Sequence, residues 1–224
     1  VNPTFPPTKM AEQLIDSGAT FAITLTLFYE NLKKIQAQTK VQQVIVTGIK
    51  EYLPPSARVL FTLAKEKKEG HRITKRPEDH WLQDLLARYA GQRPTMDVQG
   101  DDIAIFQYTG GTTGIPKAAM STHSALVANT VQCREWLARK GVQESFLAAI
   151  PLFHVFGMVA VMSFAVSVGA AMIMVPNARD ITDVVQKIDR YRPTLFMGVP
   201  ALYNAINRHP GIIAGKYDLV LAAT

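Results

Sequence analysis

The segment YTGGTTGIPK, residues 108–117, packs three glycines, three threonines and a lysine into ten residues. Glycines let backbone N–H groups approach an anion closely, threonine hydroxyls add donors, and Lys117 adds a positive charge. The chemistry this favours is the holding of phosphate. A plain surface turn accounts for one or two glycines but not for the hydroxyls and the lysine among them. Two common nucleotide motifs are excluded: Lys117 follows Pro116 and precedes Ala118, which breaks G-x-x-x-x-G-K-[ST], and G-x-G-x-x-G is not matched either.

Two further side chains can do chemistry. His154 lies in PLFHVFGM (151–158), between Phe153 and Phe156, and by itself such a histidine reads as a satisfied structural residue. Cys133, the single cysteine, lies in the helix-patterned VANTVQCREWLA and reads as a buried thiol rather than a nucleophile. It has no disulfide partner and no Cys/His cluster of zinc-ligand spacing around it, which fits a reducing compartment.

The elements that must position these residues alternate. β-rich runs occur at 21–25, 43–46, 103–108, 145–150, 170–175, 194–199 and 218–223, with helical spacing at 8–17, 27–38, 122–140, 156–168 and 182–191. The expected fold class is α/β, a mostly parallel sheet with crossover helices. The glycine-rich loop follows strand 103–108 and precedes a helix starting near Thr122; His154 follows strand 145–150; Gly198, Val199 and Pro200 close strand 194–199. All three segments fall at carboxyl ends of strands, where open parallel sheets bind ligands.

Residues 50–101 interrupt the alternation with Pro54, Pro55, a basic run and a short helical piece around Trp81 to Tyr89. The expected organisation is βα units over 1–49, a basic, proline-containing insertion or connector over 50–101, and a phosphate-loop subdomain over 102–224. Within the connector, residues 57–68 (ARVLFTLAKEKK) join an apolar start to a basic end. They read as a helix packed on its own domain, with peripheral contact to a membrane through residues 50–76 as the alternative.

Hydrophobic residues make up 48% and charged residues 19%, which excludes a disordered chain. The net charge of +6 is concentrated in Lys65, Lys67, Lys68, Arg72, Lys75 and Arg76. No aromatic residues interleave with these charges, so no base-stacking platform for nucleic acid is expected. The uncharged run 155–175 is long enough to span a bilayer, but Gly169 divides it and its flanks lack interfacial anchors; it reads as a buried helix followed by a buried strand. The start VNPTFPP has no secretory character, the end DLVLAAT stops on an apolar run, and the sequence reads as a piece of a longer chain in the cytoplasm.

The stretch YTGGTTGIPKAAMSTH closely resembles the phosphate loop of the adenylate-forming superfamily, which comprises acyl-CoA synthetases, luciferases and the adenylation domains of peptide synthetases. PLFHVFGM, FMGVPALYNAINRHP (196–210) and VNPTFPPTKMAEQLIDSGA agree in order and rough spacing, and are most similar to long-chain fatty acid-CoA ligases. The resemblance implies an acid-thiol ligase using ATP, Mg2+ and coenzyme A, with a fatty acid activated as acyl-AMP; another acyl- or aryl-adenylating enzyme is the sibling reading and a lipid-surface module the alternative. It implies that Tyr108, Thr109, Gly110, Gly111, Thr112, Thr113, Gly114 and Lys117 hold the phosphates, with Thr109 a metal ligand. It puts His154 beside the adenylate and acyl carboxylate, in an orienting or polarising role, and makes Phe153, Phe156, Met158, Gly198, Val199 and Pro200 the lining or gate of an acyl tunnel.

The sequence also departs from the pattern. Ala118 stands where a glycine usually follows the loop's lysine, and Met158 where some relatives carry a tryptophan gate. The family's adenine motif, ribose-binding aspartate, companion metal-binding glutamate, hinge and C-terminal lysine are not in these residues, so the chain reads as part of an N-terminal domain, inactive in isolation and open to oligomerisation.

Overall fold

The computed structural model describes residues 1–109 and 117–217. They fall into two compact units, one drawn from Val1–Val98 with Tyr108–Ala119 and the other from Gln99–Gln107 with Met120–Thr224.

In the first unit, α1 (Pro7–Ser17) starts on a proline at its first turn, where the missing N–H costs nothing, and stops at Gly18, whose φ of 63° is the left-handed conformation a side chain resists. β1 (Phe21–Leu25), α2 (Thr26–Gln36) and β2 (Gln43–Thr47) form a βαβ unit, with the strands parallel from Phe21 opposite Gln43 to Leu25 opposite Thr47. A 3-10 turn (Ile49–Tyr52) and α3 (Pro55–Ala64) follow, then the two-residue strand β3 (His80–Trp81), parallel to β2, and α4 (Leu82–Arg88). Met10, Leu14, Tyr29, Leu32, Val44 and Val46 form the core.

A buried polar knot ties α2 to the segment before β3. The Tyr29 hydroxyl donates to Asp79 at 2.5 Å, Lys33 Nζ lies 2.9 Å from the same carboxylate, and the Arg76 N–H donates to the Tyr29 oxygen at 2.9 Å. Burial, reinforced by Asp79, pushes the Tyr29 phenol up to about 12, so it stays neutral and acts as a donor.

β4 (Ile103–Thr109) pairs with β5 (Lys117–Thr122), and α5 (His123–Leu137) begins at once, capped by the Thr122 hydroxyl accepting from the Ala125 N–H at 3.2 Å. The helix start agrees with the sequence expectation, but the strand–loop–helix arrangement is corrected. Lys117 to Thr122 form a strand, so a strand stands between the glycine-rich stretch and α5.

In the second unit β6 (Ser145–Ala148) pairs in parallel with β7 (Ala171–Met174), Ser145 opposite Ala171. Between them run wide π-helical turns (Gly157–Ser163) and α6 (Phe164–Ser167), and the chain reverses at Gly169, φ 64°. No helix among the described residues is long and apolar enough to cross a membrane. Met174 is half exposed on β7, which among the described residues pairs only with β6, so the expected buried strand is a sheet edge here.

α7 (Ile181–Tyr191), α8 (Pro200–Asn207) and α9 (Pro210–Ile213) follow. α7 buries Val184, Val185 and Ile188 against Leu147, Leu202 and Ile206, while Phe146 meets Phe164 edge-on at 4.9 Å on the other side of β6. The expected strand 194–199 is corrected: among the described residues it is reduced to one bridge, Leu195 to Phe146, before Pro200 starts α8. The run 218–223 lies outside the described residues.

Candidate functional site

β4 delivers Tyr108 to the root of the glycine-rich loop. Its hydroxyl donates to Asp16 Oδ2 at 2.6 Å and lies 3.1 Å from the Gln13 carbonyl, both in the last turns of α1. Burial and then the Asp16 carboxylate push this phenol up to about 12. Tyr108 is therefore a neutral strut, with its polar tip committed to α1. Thr109 ends β4, and Lys117 opens β5 with its side chain exposed. Gly110, Gly111, Thr112, Thr113 and Gly114 lie outside the described residues.

The second candidate segment leaves the carboxyl end of β6. After the buried Ile150 the chain turns at Pro151, whose carbonyl accepts from the His154 N–H at 3.0 Å, and Met158 N–H donates to the His154 carbonyl at 2.8 Å. His154 is exposed, and its Nδ1 accepts from the Phe156 N–H at 3.2 Å. In the neutral ring the proton therefore sits on Nε2, which makes that nitrogen the outward donor. Phe153, Val155 and Phe156 are also exposed. Gly157 permits the turn: a Cβ there would overlap the Pro151 carbonyl and lie 3.0 Å from the Ile150 oxygen.

The third segment runs alongside. Leu195 accepts from the Leu147 N–H at 2.9 Å and donates to the Ser145 carbonyl at 2.9 Å, parallel to β6, so the chain beyond it heads toward the same sheet end as His154. Thr194 fixes the start. Its hydroxyl oxygen accepts from the Ser145 N–H at 2.8 Å, and its proton goes to Glu144. Glu144 is buried, and the Arg139 guanidinium forking onto both its oxygens at 3.2 and 3.1 Å holds its carboxyl down to about 2. Further on, the Tyr203 hydroxyl donates to the Phe196 carbonyl at 2.8 Å, and a Cβ on Gly198 would sit 2.8 Å from the Tyr203 ring. Val199 caps α8 and Pro200 is its first residue.

Sequence reasoning missed Asp16, Gln13, Glu144, Arg139 and Thr194. Only Glu144 carried a signal, a charge directly before a buried apolar strand. Among the described residues no three His, Cys, Asp or Glu side chains are grouped so as to hold a metal ion.

Residues 1–220 match the family model described as AMP-binding enzyme. The chain is 34% identical over 223 residues to the long-chain-fatty-acid–CoA ligase of Bacillus subtilis, covering 97% of this chain and 39% of the relative. Among solved structures it is similar to the long-chain-fatty-acid-CoA ligase FadD1 of Archaeoglobus fulgidus (TM-score 0.66, 25% identity, 92% of this chain and 35% of that one). The anthranilate CoA ligase AuaEII in complex with anthranoyl-AMP shares the fold, with TM-score 0.75 at 20% identity over 98% of this chain and 38% of that one. The chain thus spans well under half the length of the relatives it matches.

Proposed function

Because this chain belongs to the AMP-binding enzyme family, we propose that it supplies the phosphate loop and acyl-binding segments of an ATP-dependent fatty acid–CoA ligase. The similarity to a long-chain-fatty-acid–CoA ligase along 97% of the chain carries this reading. In the first step a carboxylate oxygen attacks the α-phosphorus of ATP, the bond to the β-phosphate oxygen breaks, and pyrophosphate leaves. In the second the coenzyme A sulfur attacks the acyl carbon, AMP departs, and the thiol proton is released.

The protein's part is positioning and charge neutralisation. Thr109, Gly110, Gly111, Thr112, Thr113 and Gly114 would supply donors to the β- and γ-phosphates and Lys117 would balance their charge, while Tyr108 holds the loop's root on α1. His154, with Nε2 as donor, would orient the acyl carboxylate rather than deprotonate it, since a carboxylate needs no base. Phe153, Phe156, Met158, Gly198, Val199 and Pro200 would form apolar walls for the alkyl chain, an assignment supported by the two segments leaving the same end of β6. Magnesium would enter with the nucleotide and offset phosphate charge, held mainly by phosphate oxygens and water, with the Thr109 hydroxyl as protein ligand. The single cysteine supports a reducing, cytoplasmic setting.

Assayed within a polypeptide of the relatives' length, the chain is expected to support fatty-acid-dependent pyrophosphate release and acyl-CoA formation, both lost in Lys117→Ala. By itself it is expected to bind Mg-ATP weakly and form no acyl-CoA. Unchanged turnover in Lys117→Ala would remove the reading, and preference for an aromatic acid would move it to an aryl-adenylating enzyme.

A further inference from the structure

We infer that Tyr203 is a positioning residue for acyl-chain selectivity, holding residues 196–199 in the course that the proposed acyl walls require. The inference rests on the fatty acid–CoA ligase reading above and adds a residue to it. Tyr203 meets this segment with both its ring and its hydroxyl. The hydroxyl donates to the Phe196 carbonyl at 2.8 Å, and the ring stands edge-on to the Phe196 ring at 5.2 Å. The tip of the side chain lies against Gly198: a Cβ there would sit 2.8 Å from the ring carbon that bears the hydroxyl and 3.0 Å from the hydroxyl oxygen. The missing side chain at residue 198 is what lets the tyrosine close on the backbone.

The base of this side chain is anchored. Leu202 and Ile206 of α8 are buried in the same core as Leu147 and Val184, and the Leu202 and Tyr203 N–H groups donate to the Val199 carbonyl at 2.9 and 3.2 Å. The segment itself alternates as extended chain does: Phe196 packs on the core that holds Leu202, and Met197 on the core that holds Phe146 and Phe164. Gly198 therefore falls on the Phe196 side, where Tyr203 meets it, and the extended, exposed Val199 falls on the other. Tyr203 thus fixes how far Val199 and Pro200 stand out, and with them the room for an alkyl chain, without touching that chain. An apolar wall discriminates length only if it does not yield, so a wall freed from Tyr203 admits longer acids.

The test is acyl-CoA formation from saturated acids of increasing length, by the chain within a polypeptide of the relatives' length. Tyr203→Phe loses the bond to Phe196 and keeps the ring. It is expected to lower the kcat/KM ratio between the best-used acid and longer ones about fivefold, the scale of one hydrogen bond. Tyr203→Leu should lower the ratio further, and Gly198→Ala, which displaces the tyrosine tip, should lower it as well. The change should lie in the KM for the acid, with the KM for ATP unaltered. Ile35→Val, in the core of the first unit, is the control for lost stability alone and should leave the ratio as it is. Ratios unchanged in the Tyr203 and Gly198 variants, a change confined to kcat, or an equal change in Ile35→Val would overturn the inference while leaving the ligase reading intact. A parent polypeptide that turns over no fatty acid would remove the ligase reading and this inference with it, leaving Tyr203 a structural residue of α8.

Discussion

The Tyr108 hydroxyl and the Asp16 carboxylate, 92 residues apart in the chain, meet at 2.6 Å and join the root of the glycine-rich loop to the end of α1. Tyr108→Phe removes this bond while keeping the ring, and is expected to cost about 1 kcal/mol of stability. If the strut positions the loop, the affinity for Mg-ATP falls with it. Urea unfolding and calorimetric titration of the same variant separate the two effects, and a stability loss with unchanged affinity would leave Tyr108 purely structural.

The same bond predicts a limit at alkaline pH. The phenols of Tyr108 and Tyr29 are raised from about 10 to about 12 in the folded chain. The unfolded chain releases these protons first, so their stabilisation is complete below pH 10 and is lost as pH rises toward 12. Tyrosinate absorbance followed against pH should show two late-titrating phenols, one of them missing in Tyr108→Phe.

At the acid end the sign reverses. The Glu144 carboxyl is held down to about 2 against an ordinary 4.5, so its contribution is present above pH 4.5 and fades as pH falls toward 2. Glu144→Ala strands Thr194 and the Arg139 N–H and is expected to cost about 2 kcal/mol at neutral pH. In Glu144→Gln the acid-dependent part of the stability, measured by urea melts between those pH values, should shrink.

These contacts mark the limit of what the sequence discloses. Phe21–Leu25, Gln43–Thr47 and Ser145–Ala148 were legible because short β-branched and apolar runs stand between helical repeats. Lys117–Thr122 was not, since KAAMST has small and polar residues and is a strand only because β4 lies beside it. Residues 194–199 misled in the other direction: the run is apolar, yet among the described residues Leu195 is its single bridge to the sheet. The loop and His154 were conspicuous as residue types. Asp16, Arg139 and Thr194 were not, because their roles arise from partners that only folding brings within reach.

Gly157 offers a test of the turn that carries His154. In Gly157→Ala the new Cβ overlaps a backbone carbonyl that no rotamer can relieve, and the expected cost is about 2–3 kcal/mol. Gly198→Ala meets the Tyr203 ring instead, a side chain able to swing aside, and should cost less. Thermal melts of the two variants should rank in that order; equal costs would mean that the Pro151 turn yields readily.

The role proposed for His154 turns on which nitrogen faces outward. Nδ1 accepts the Phe156 N–H, so Nε2 donates, and His154→Gln can still present an amide donor whereas His154→Ala cannot. Within a polypeptide of the relatives' length, His154→Ala is expected to lower kcat for adenylation by about a hundredfold, the scale of a lost oxyanion donor. His154→Gln should recover part of that loss, with little change in the KM for ATP. Equal losses in both variants would point to the ring's packing rather than its proton, and a loss confined to KM would assign His154 to substrate binding alone.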